Sequence, residues 1–530
     1  MNLCRCLCLT LAVVALSAAA ETRITFHGGA GEVGGSSALV ERDGVRLLVD
    51  CGSVFDADGA SRGTDVAFGF DPKKIDAVVL THAHQDHAGR IPELFNAGFS
   101  GTVYATEPTV EILRTMYKSQ VQYDTTTRRT WRWSKKSKRG GTVHWRPDCT
   151  WNTQIARANL QTFTGTFNEL SAHLEKREDA HAGRISCCRT CAGLELDGMM
   201  ARMHVVAFGE RKKIGGLSFE LQPVRHLPGA ASIRIEDGAK SFLFSGDMGT
   251  FRSRLGGRPV PARKADWVFV ESTYGKGRDA DEKVTESEYA RFCGTVGETL
   301  RAGGLAWIPA FALDRSQRVL LEIARGMREG TIPTNAPIYL TSPTAREVTA
   351  KYAAHPEWFA PNAVEGLEPL LKRIRPRFNP AKDLRKGGIL VTTSGMLDTA
   401  ASYVLIPDLL PQAKVTVCLV GYQAPDTPGH ALMTGAKEIT FAQNGEKETI
   451  PVRARVAKKF NCFSGHGDAA EIDAWLVNNR DSRIFLIHGD AQGLKERRDD
   501  LAEHHAGSVE IVEKGKTYST ASEPKNTAMP

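Results

Sequence analysis

Long apolar segments are scarce in this chain of 530 residues. Residues 7–16 form an apolar run, but that run is shorter than the ~20 residues that a helix needs to cross a bilayer. We find no other segment that is long and apolar enough to do so. The sequence therefore excludes a protein built from membrane-spanning helices, and we predict no stable membrane insertion.

Cysteine is also sparse. The chain has 11, and three of them fall within the first eight residues. Small secreted domains held together by disulfides have a much higher density, so a disulfide framework is excluded as the basis of this fold. Four cysteines do cluster in the middle of the chain, at Cys149, Cys187, Cys188 and Cys191, and they need a separate explanation.

A dinucleotide-binding fingerprint is missing too. The glycine-rich stretch 28–35 lacks the order Gly-x-Gly-x-x-Gly followed by a helix. Its glycines, among them Gly34 and Gly35, let the backbone come close either to itself or to a ligand, and a phosphate is one candidate. The net charge of +7 permits a polyanionic partner without requiring one.

The first twenty residues have the pattern of a signal peptide. Arg5 precedes the apolar run 7–16, and Ala18, Ala19 and Ala20 supply the small residues of a cleavage site. We therefore expect residues 1–20 to be removed and the protein to be exported to the periplasm or secreted. The alternative is a start codon placed too far upstream, which would leave a cytoplasmic protein, because the first strand pattern begins directly afterwards at residues 23–26.

Hydrophobic periodicity predicts an α/β protein with more than one unit. Short apolar strand patterns dominate residues 23–118 and 216–271. Patterns with helical period at 284–302, 315–329 and 345–355 then alternate with strands, which indicates a second α/β unit. Residues 122–205 interrupt the first unit as an insertion, residues 453–518 return to strand and helix, and we expect the polar tail 519–530 to be disordered.

Metal-binding residue types follow the predicted strands of the first unit. They are Asp50, the cluster His82, His84, Asp86 and His87, then His226, Asp247, Glu271 and His488, with His466 in a glycine-rich loop just before a helix. Carboxyl ends of parallel strands are where open α/β sheets place their sites. Since one zinc ion needs only three or four protein ligands, this set predicts two metal sites.

The motif order resembles the metallo-β-lactamase superfamily. Three further motifs narrow the resemblance to its β-CASP branch of RNA-processing nucleases: Glu271 in Glu-Ser-Thr-Tyr-Gly, His466 in Phe-Ser-Gly-His-Gly-Asp, and His488 in Leu-Ile-His-Gly-Asp. The chain is similar to the cleavage subunit of the pre-mRNA 3′-end machinery and to its bacterial and archaeal counterparts. The resemblance implies an αββα sandwich at 21–274 and 453–518, with an inserted β-CASP α/β domain at 275–452.

The resemblance also implies a role for each residue. His82, His84 and His226 would bind one zinc, Asp86, His87 and His488 the second, with Asp247 bridging the two and Asp50 orienting a ligand imidazole. Zn²⁺ is the expected ion, with Mn²⁺ as an alternative. Histidine at position 488 is the residue that RNA-directed members carry.

The expected reaction is hydrolysis of a phosphodiester bond. Two divalent ions lower the pKa of a shared water, so that a bridging hydroxide attacks the phosphorus. Asp86, Glu271 and His466 are the predicted catalytic residues, with His466 protonating the leaving oxygen while Glu271 orients it. Ser394, Gly34 and Gly35 are candidate phosphate contacts. The chain departs from the family after Leu397, where Asp398 stands in place of a usual glycine.

The role of the predicted insertion has alternative interpretations. Its basic residues interleaved with tryptophan would suit a nucleic acid backbone and its bases, or would form a solvated surface loop. Cys149, Cys187, Cys188 and Cys191 would hold a structural zinc ion, form disulfides if the chain is exported, or remain free thiols.

Two functions remain in competition at this point. The first is a ribonuclease, cutting internally or from one end, with single-stranded RNA as its partner and a homodimer as an open alternative for its assembly. The second is an exported zinc hydrolase of a small ester, lactone or thioester, which the signal peptide favours. The retained Glu271, His466 and His488 favour the ribonuclease.

Overall fold

The computed structural model describes residues 21–54, 67–127, 132–133, 143–144, 180–181, 184–185, 196–277, 282–443 and 446–522. The predicted signal peptide, the four clustered cysteines and the larger part of the predicted insertion lie outside these ranges. Within them, no helix combines the length and the hydropathy that crossing a bilayer requires.

Two seven-stranded sheets form the first unit. The strands of one, in spatial order, are Met203–Val205, Thr102–Ala105, Ala77–Val79, Val45–Val49, Ser37–Arg42, Arg23–Gly28 and Thr517–Ser519. Those of the other are Arg211–Ile214, Leu217–Pro223, Ala231–Glu236, Ser241–Phe244, Trp267–Glu271, Arg483–Ile487 and Val509–Ile511. Strand Arg483–Ile487 pairs in parallel with Trp267–Glu271, so the last part of the chain completes the sheet that the first part began.

The two sheets enclose an apolar core. Phe26 of the first sheet lies 5.1 Å, between ring centroids, from Phe269 of the second, and Phe269 stacks on Phe244 and Phe485. These rings are at most 2% exposed. Alternate residues of the same strands face outward against helices, for example Leu48 and Val78, both fully buried. This arrangement is the αββα sandwich that the family resemblance implies.

A third sheet forms the second unit. Its five strands are parallel and run in the order Ile338–Leu340, Gly388–Thr392, Leu305–Pro309, Val415–Val417 and Arg455–Val456. Strands of this kind are buried on both faces and therefore read as nearly continuous apolar runs, as Leu305–Pro309 does. A hairpin, Glu438–Gln443 with Glu446–Pro451, stands beside the sheet.

Helices cover the sheets. Those of the first unit are Gln85–Ala88, Ile91–Asn96, Glu107–Thr127, Ala469–Trp475 and Ala491–Ala502. Those of the second unit are Glu282–Arg301, Arg315–Arg328, Pro343–Ala354, Leu367–Arg373, Pro380–Asp383, Ala400–Val404, Ile406–Leu409 and Pro428–Met433. Short 3₁₀ turns lie at Pro72–Lys74, Pro356–Trp358, Leu384–Lys386, Asn461–Phe463, Leu476–Asn478 and Thr520–Ser522.

Three predicted boundaries shift. Met203–Val205 pairs with Thr102–Ala105 inside the first sheet, so the insertion ends before this strand and not at residue 205. Arg455–Val456 pairs with Val415–Val417, so the second unit extends past residue 452. Thr517–Ser519 pairs with the first strand of the chain, so residue 519 is ordered and not part of a disordered tail. In each case the boundary is set by pairing with a strand that is distant in sequence, and the local hydrophobic pattern does not reveal this pairing.

Candidate metal centre

The polar residues that follow the strands meet at one end of the sandwich. Three groups of side chains each have ligand atoms that lie within 4.8 Å of one another. The groups are His82, His84, His226 and Asp247; Asp86, His87, Asp247 and His488; and Asp247, Glu271 and His466. The first two coincide with the two ligand sets that the family resemblance implies, and Asp247 belongs to all three.

The first group has the spacing of a metal site. The Nδ1 atom of His84 lies 3.1 Å from Nε2 of His82 and 3.1 Å from Nε2 of His226. Oδ2 of Asp247 lies 3.6 Å and 3.7 Å from the same two Nε2 atoms. Ligand atoms around a tetrahedral zinc ion, each about 2.0–2.1 Å from it, are separated by about 3.3 Å. The four side chains therefore converge on one point at the distances that zinc needs.

The protonation of these imidazoles suits a metal as well. Burial lowers the pKa of His82 and His226, and each is lowered further by a neighbouring imidazole. Burial also lowers the pKa of His84, even though carboxylates nearby act in the opposite direction. The three rings are therefore neutral at physiological pH and keep the lone pair that binds a metal ion.

The second group lies on the other side of Asp247. Oδ1 of Asp247 is 3.1 Å from Nε2 of His87 and 3.5 Å from Nδ1 of His488, whose Nε2 is 3.4 Å from Oδ2 of Asp86. Both Asp247 Oδ1 and His488 Nε2 are buried and make no hydrogen bond of good geometry to the described residues. Leaving such atoms unsatisfied costs free energy, so a second ion bound here fits the site.

The carboxylates of the second group lie beside imidazoles that favour their ionised form. Burial opposes ionisation of Asp247, but the imidazoles of His488 and His87 outweigh it and hold its pKa well below the usual range. Burial likewise opposes ionisation of Asp86, and the imidazoles of His488, whose Nε2 is 3.4 Å away, and of His87 lower its pKa. Both carboxylates are thus ionised and available as oxygen ligands.

Asp50 fixes the orientation of His87. Its Oδ2 atom lies 2.8 Å from Nδ1 of His87, so Nε2 of that ring points to Asp247. Thr81 donates two hydrogen bonds of 2.7 Å to Asp50, one from its backbone N–H and one from its hydroxyl. Sequence reasoning named Asp50 for this role but missed Thr81, whose position directly before the histidine cluster was the available signal.

Glu271 and His466 form the third group. Nδ1 of His466 lies 3.1 Å and 3.2 Å from the two carboxylate oxygens of Glu271, while its Nε2 lies 3.9 Å from Oδ2 of Asp247. Glu271 is itself held by Met248 N–H at 2.6 Å and by the Thr273 hydroxyl at 2.5 Å. Burial alone would lower the pKa of His466, but the Glu271 and Asp247 carboxylates raise it to about 10.

Comparisons with known proteins agree with this geometry. The metallo-beta-lactamase superfamily model matches residues 30–149, the Beta-Casp domain model 316–432, and the Zn-dependent metallo-hydrolase RNA specificity domain model 449–512. The chain belongs to the β-CASP branch of the metallo-β-lactamase superfamily. It is therefore a metal-dependent hydrolase.

Relatives of known identity match nearly the whole chain. Transcription termination factor FttA from Methanocaldococcus jannaschii is 28% identical over 490 residues, which cover 88% of this chain and 67% of the relative. A ribonuclease from Thermus thermophilus is 27% identical over 482 residues, covering 89% of this chain and 94% of its own. A solved structure of a protein of unknown function from Enterococcus faecalis is 14% identical, covers 94% of this chain and 100% of its own, and has a TM-score of 0.47.

Two of the candidate phosphate contacts of this β-CASP protein, Gly34 and Gly35, make backbone hydrogen bonds within the chain. The N–H of Gly35 donates to the carbonyl of Ser53 at 2.8 Å, and the carbonyl of Gly34 accepts from Gly29. A side chain at Gly28 would collide with the Gly35 carbonyl, so these glycines serve contact of the backbone with itself. The structure thus leaves Gly35 without a free N–H for a phosphate.

Ser394 is occupied as well. Its hydroxyl donates to Asp398, the residue at which the chain departs from the family pattern. A carboxylate beside this hydroxyl would repel a phosphate, and Ser394 stays a prediction as a phosphate contact.

Proposed function

We propose that this protein is a ribonuclease that cleaves RNA phosphodiester bonds with a pair of divalent ions, Zn²⁺ or Mn²⁺. One observation carries the proposal: the two four-residue groups share Asp247, and the Glu271–His466 pair lies against the same carboxylate. A pair of metal ions at such a site supplies an activated water and neutralises charge on the phosphate.

The chain's own residues would prepare and complete that reaction. Asp247 would join the two ion sites, and Asp50 would keep His87 directed at it. Nδ1 of His466 is hydrogen-bonded to Glu271, so Nε2 would hold the proton for the leaving oxygen. The proton donor would then lie on the side of the site that Asp247 faces.

The choice of RNA is supported by three things. Histidine stands at position 488, as the resemblance to RNA-directed members requires. The RNA specificity domain model matches the segment that carries His466 and His488. One of the relatives is named a ribonuclease and another a transcription termination factor.

Incubation with labelled substrates tests the proposal. Purified protein is mixed with end-labelled single-stranded RNA or DNA of the same sequence in Zn²⁺ or Mn²⁺, beside the variant Asp247→Ala. Cleavage of RNA by the wild type and its loss in the variant are expected. Intact RNA with the wild type in both metals would overturn the proposal, and the size of the products separates internal cuts from trimming at one end.

A second candidate is an exported hydrolase of a small ester, lactone or thioester. The signal-peptide pattern of residues 1–20 favours it, because RNA processing is intracellular work. Turnover of a chromogenic ester together with intact RNA would establish it. We also propose export itself, and mass spectrometry of the native N-terminus tests that: a chain that begins at Glu21 supports export, and one that retains upstream residues contradicts it.

A further inference from the structure

We propose that Arg318, which belongs to the inserted β-CASP domain, positions the metal-ligating His226 of the sandwich. The inference rests on the proposed function only in treating His226 as a metal ligand. Arg318 lies in the helix Arg315–Arg328, 92 residues along the chain from His226, and no motif of the family that we recognised includes it.

The guanidinium group of Arg318 reaches three different segments. Its Nη2 donates to the backbone carbonyl of His226 at 3.0 Å, and its Nη1 donates to the hydroxyl of Ser253 at 2.9 Å. Its Nε donates to Oδ2 of Asp314 at 2.5 Å. The planar arrangement of these donors directs each bond, which the single ammonium of a lysine does not achieve.

The pair formed by Arg318 and Asp314 is buried. Arg318 is 6% exposed and Asp314 is 3% exposed. Removing both charges from water is expensive, and such a pair persists when hydrogen bonds satisfy the remaining polar atoms. Tyr352, which is fully buried, supplies one of them by donating to Oδ1 of Asp314 at 3.5 Å.

His226 is therefore held on two sides. Its Nδ1 lies 2.9 Å from the carbonyl of Gly465, which fixes the ring and leaves Nε2 for the metal site. Its own carbonyl is fixed by Arg318. A partner that orients a ligand imidazole typically changes metal affinity about 10–100-fold when it is removed. The inserted domain thus contributes to the metal site, because one of its helices sets where a ligand lies.

A structural role without any effect on the metal is the alternative, and Arg497 provides the matched control. Arg497 is also fully buried in a helix, Ala491–Ala502, and also pairs with carboxylates, here those of Asp473 and Asp500. Its hydrogen bonds to the described residues go to Asp473, Asp500 and the carbonyl of Ala469, none of which is a predicted metal ligand. Replacing either arginine removes a buried ion pair, but only one replacement should disturb the metal site.

The experiment measures metal affinity directly. Full-length wild type, Arg318→Met, Arg318→Lys and Arg497→Met are stripped of metal, and zinc is titrated back in competition with a chromogenic chelator. We expect two ions in the wild type, and in Arg318→Met a dissociation constant for one of them that is raised about 10–100-fold. Arg318→Lys should recover part of that loss, and Arg497→Met should bind both ions as the wild type does. Thermal unfolding of the apo-proteins reports the loss of stability in each variant.

The outcomes separate this inference from the proposed function. Unchanged zinc binding in both Arg318 variants, with a wild type that binds two ions, would overturn the inference alone. An equal loss of affinity in Arg497→Met would also overturn it, since any buried arginine would then do the same. A wild type that binds no metal would overturn both proposals. If Arg318→Met fails to fold, the milder Arg318→Lys decides, with weaker binding of one ion expected.

Discussion

Asp50→Asn should weaken metal binding or destabilise the apo-protein, although Asp50 is not one of the proposed metal ligands. In the wild type, Oδ1 accepts from the Thr81 N–H, and Oδ2 accepts from the Thr81 hydroxyl and from Nδ1 of His87. Asparagine offers only one acceptor oxygen in this position. If its amide nitrogen faces Thr81, a buried N–H loses its partner, which costs about 1–3 kcal/mol.

The other orientation of the amide acts on the ring. An amide nitrogen that faces His87 meets the proton on Nδ1, so the neutral ring, which is the form that binds a metal, would carry its one proton on Nε2, the atom 3.1 Å from Asp247 Oδ1. That proton must leave before a metal binds. Loss of an orienting partner of this kind typically lowers metal affinity about 10–100-fold, equivalent to about 1.4–2.7 kcal/mol. We therefore expect either the stability loss or the loss of affinity, and a mixture if both orientations are populated.

Zinc titration against a chelator and thermal unfolding of the apo-protein measure the two effects. Asp237→Asn is the matched control, because Asp237 is a buried carboxylate of the same sandwich that accepts from the N–H groups of Ala239 and Lys240 and pairs with Arg42. The control should lose stability and keep its zinc affinity. The reasoning is refuted if Asp50→Asn matches the wild type in both measurements, or if the control loses zinc affinity to the same extent.

Three further predictions concern single residues. Glu271→Gln should reduce kcat about 10²–10⁴-fold, which is the usual contribution of a positioned acid, because His466 loses the carboxylate that orients it. The zinc content should stay unchanged, and a drop in zinc content would contradict this prediction. Gly465→Ala should lower zinc affinity, because the added Cβ would lie 2.9 Å from Cε1 of His226 and displace that ring. Zinc titration against a chelator measures the affinity, and an affinity equal to that of the wild type would contradict this prediction. Burial raises the pKa of Asp237, but hydrogen bonds and Arg42 outweigh burial and lower that pKa below its usual value. The ionised carboxylate therefore stabilises the fold above the unfolded-state pKa, and this contribution is lost as the pH falls through the folded-state pKa. The free energies of unfolding in urea of wild type and Asp237→Asn should converge in acid, and a difference that stays constant with pH would contradict the assignment.

Local patterns sufficed for most elements. The period of 3.6 residues over 315–329 predicted the helix that the structure places at Arg315–Arg328, and the strand Leu305–Pro309 follows from its apolar run. Boundaries failed where a distant partner decides them. Thr517–Ser519 is short and polar, and it becomes a strand only because Arg23–Gly28 offers it an edge to pair with.

The candidate site divides in the same way. The sequence by itself determined which residue types stand at the strand ends, among them Asp50, Asp247 and His488, because a polar residue after an apolar strand is a local signal. No local pattern indicated that the single carboxylate of Asp247 lies between two groups of ligands, or that Glu271 meets His466 across 195 residues of chain; the family resemblance implied both, and the structure supplies the distances. Nor did the sequence indicate that Arg318 reaches the carbonyl of His226. These contacts depend on how the sheets stack and how the inserted domain docks, and such long-range geometry comes from burying apolar surface over the whole molecule, which no short window of sequence encodes.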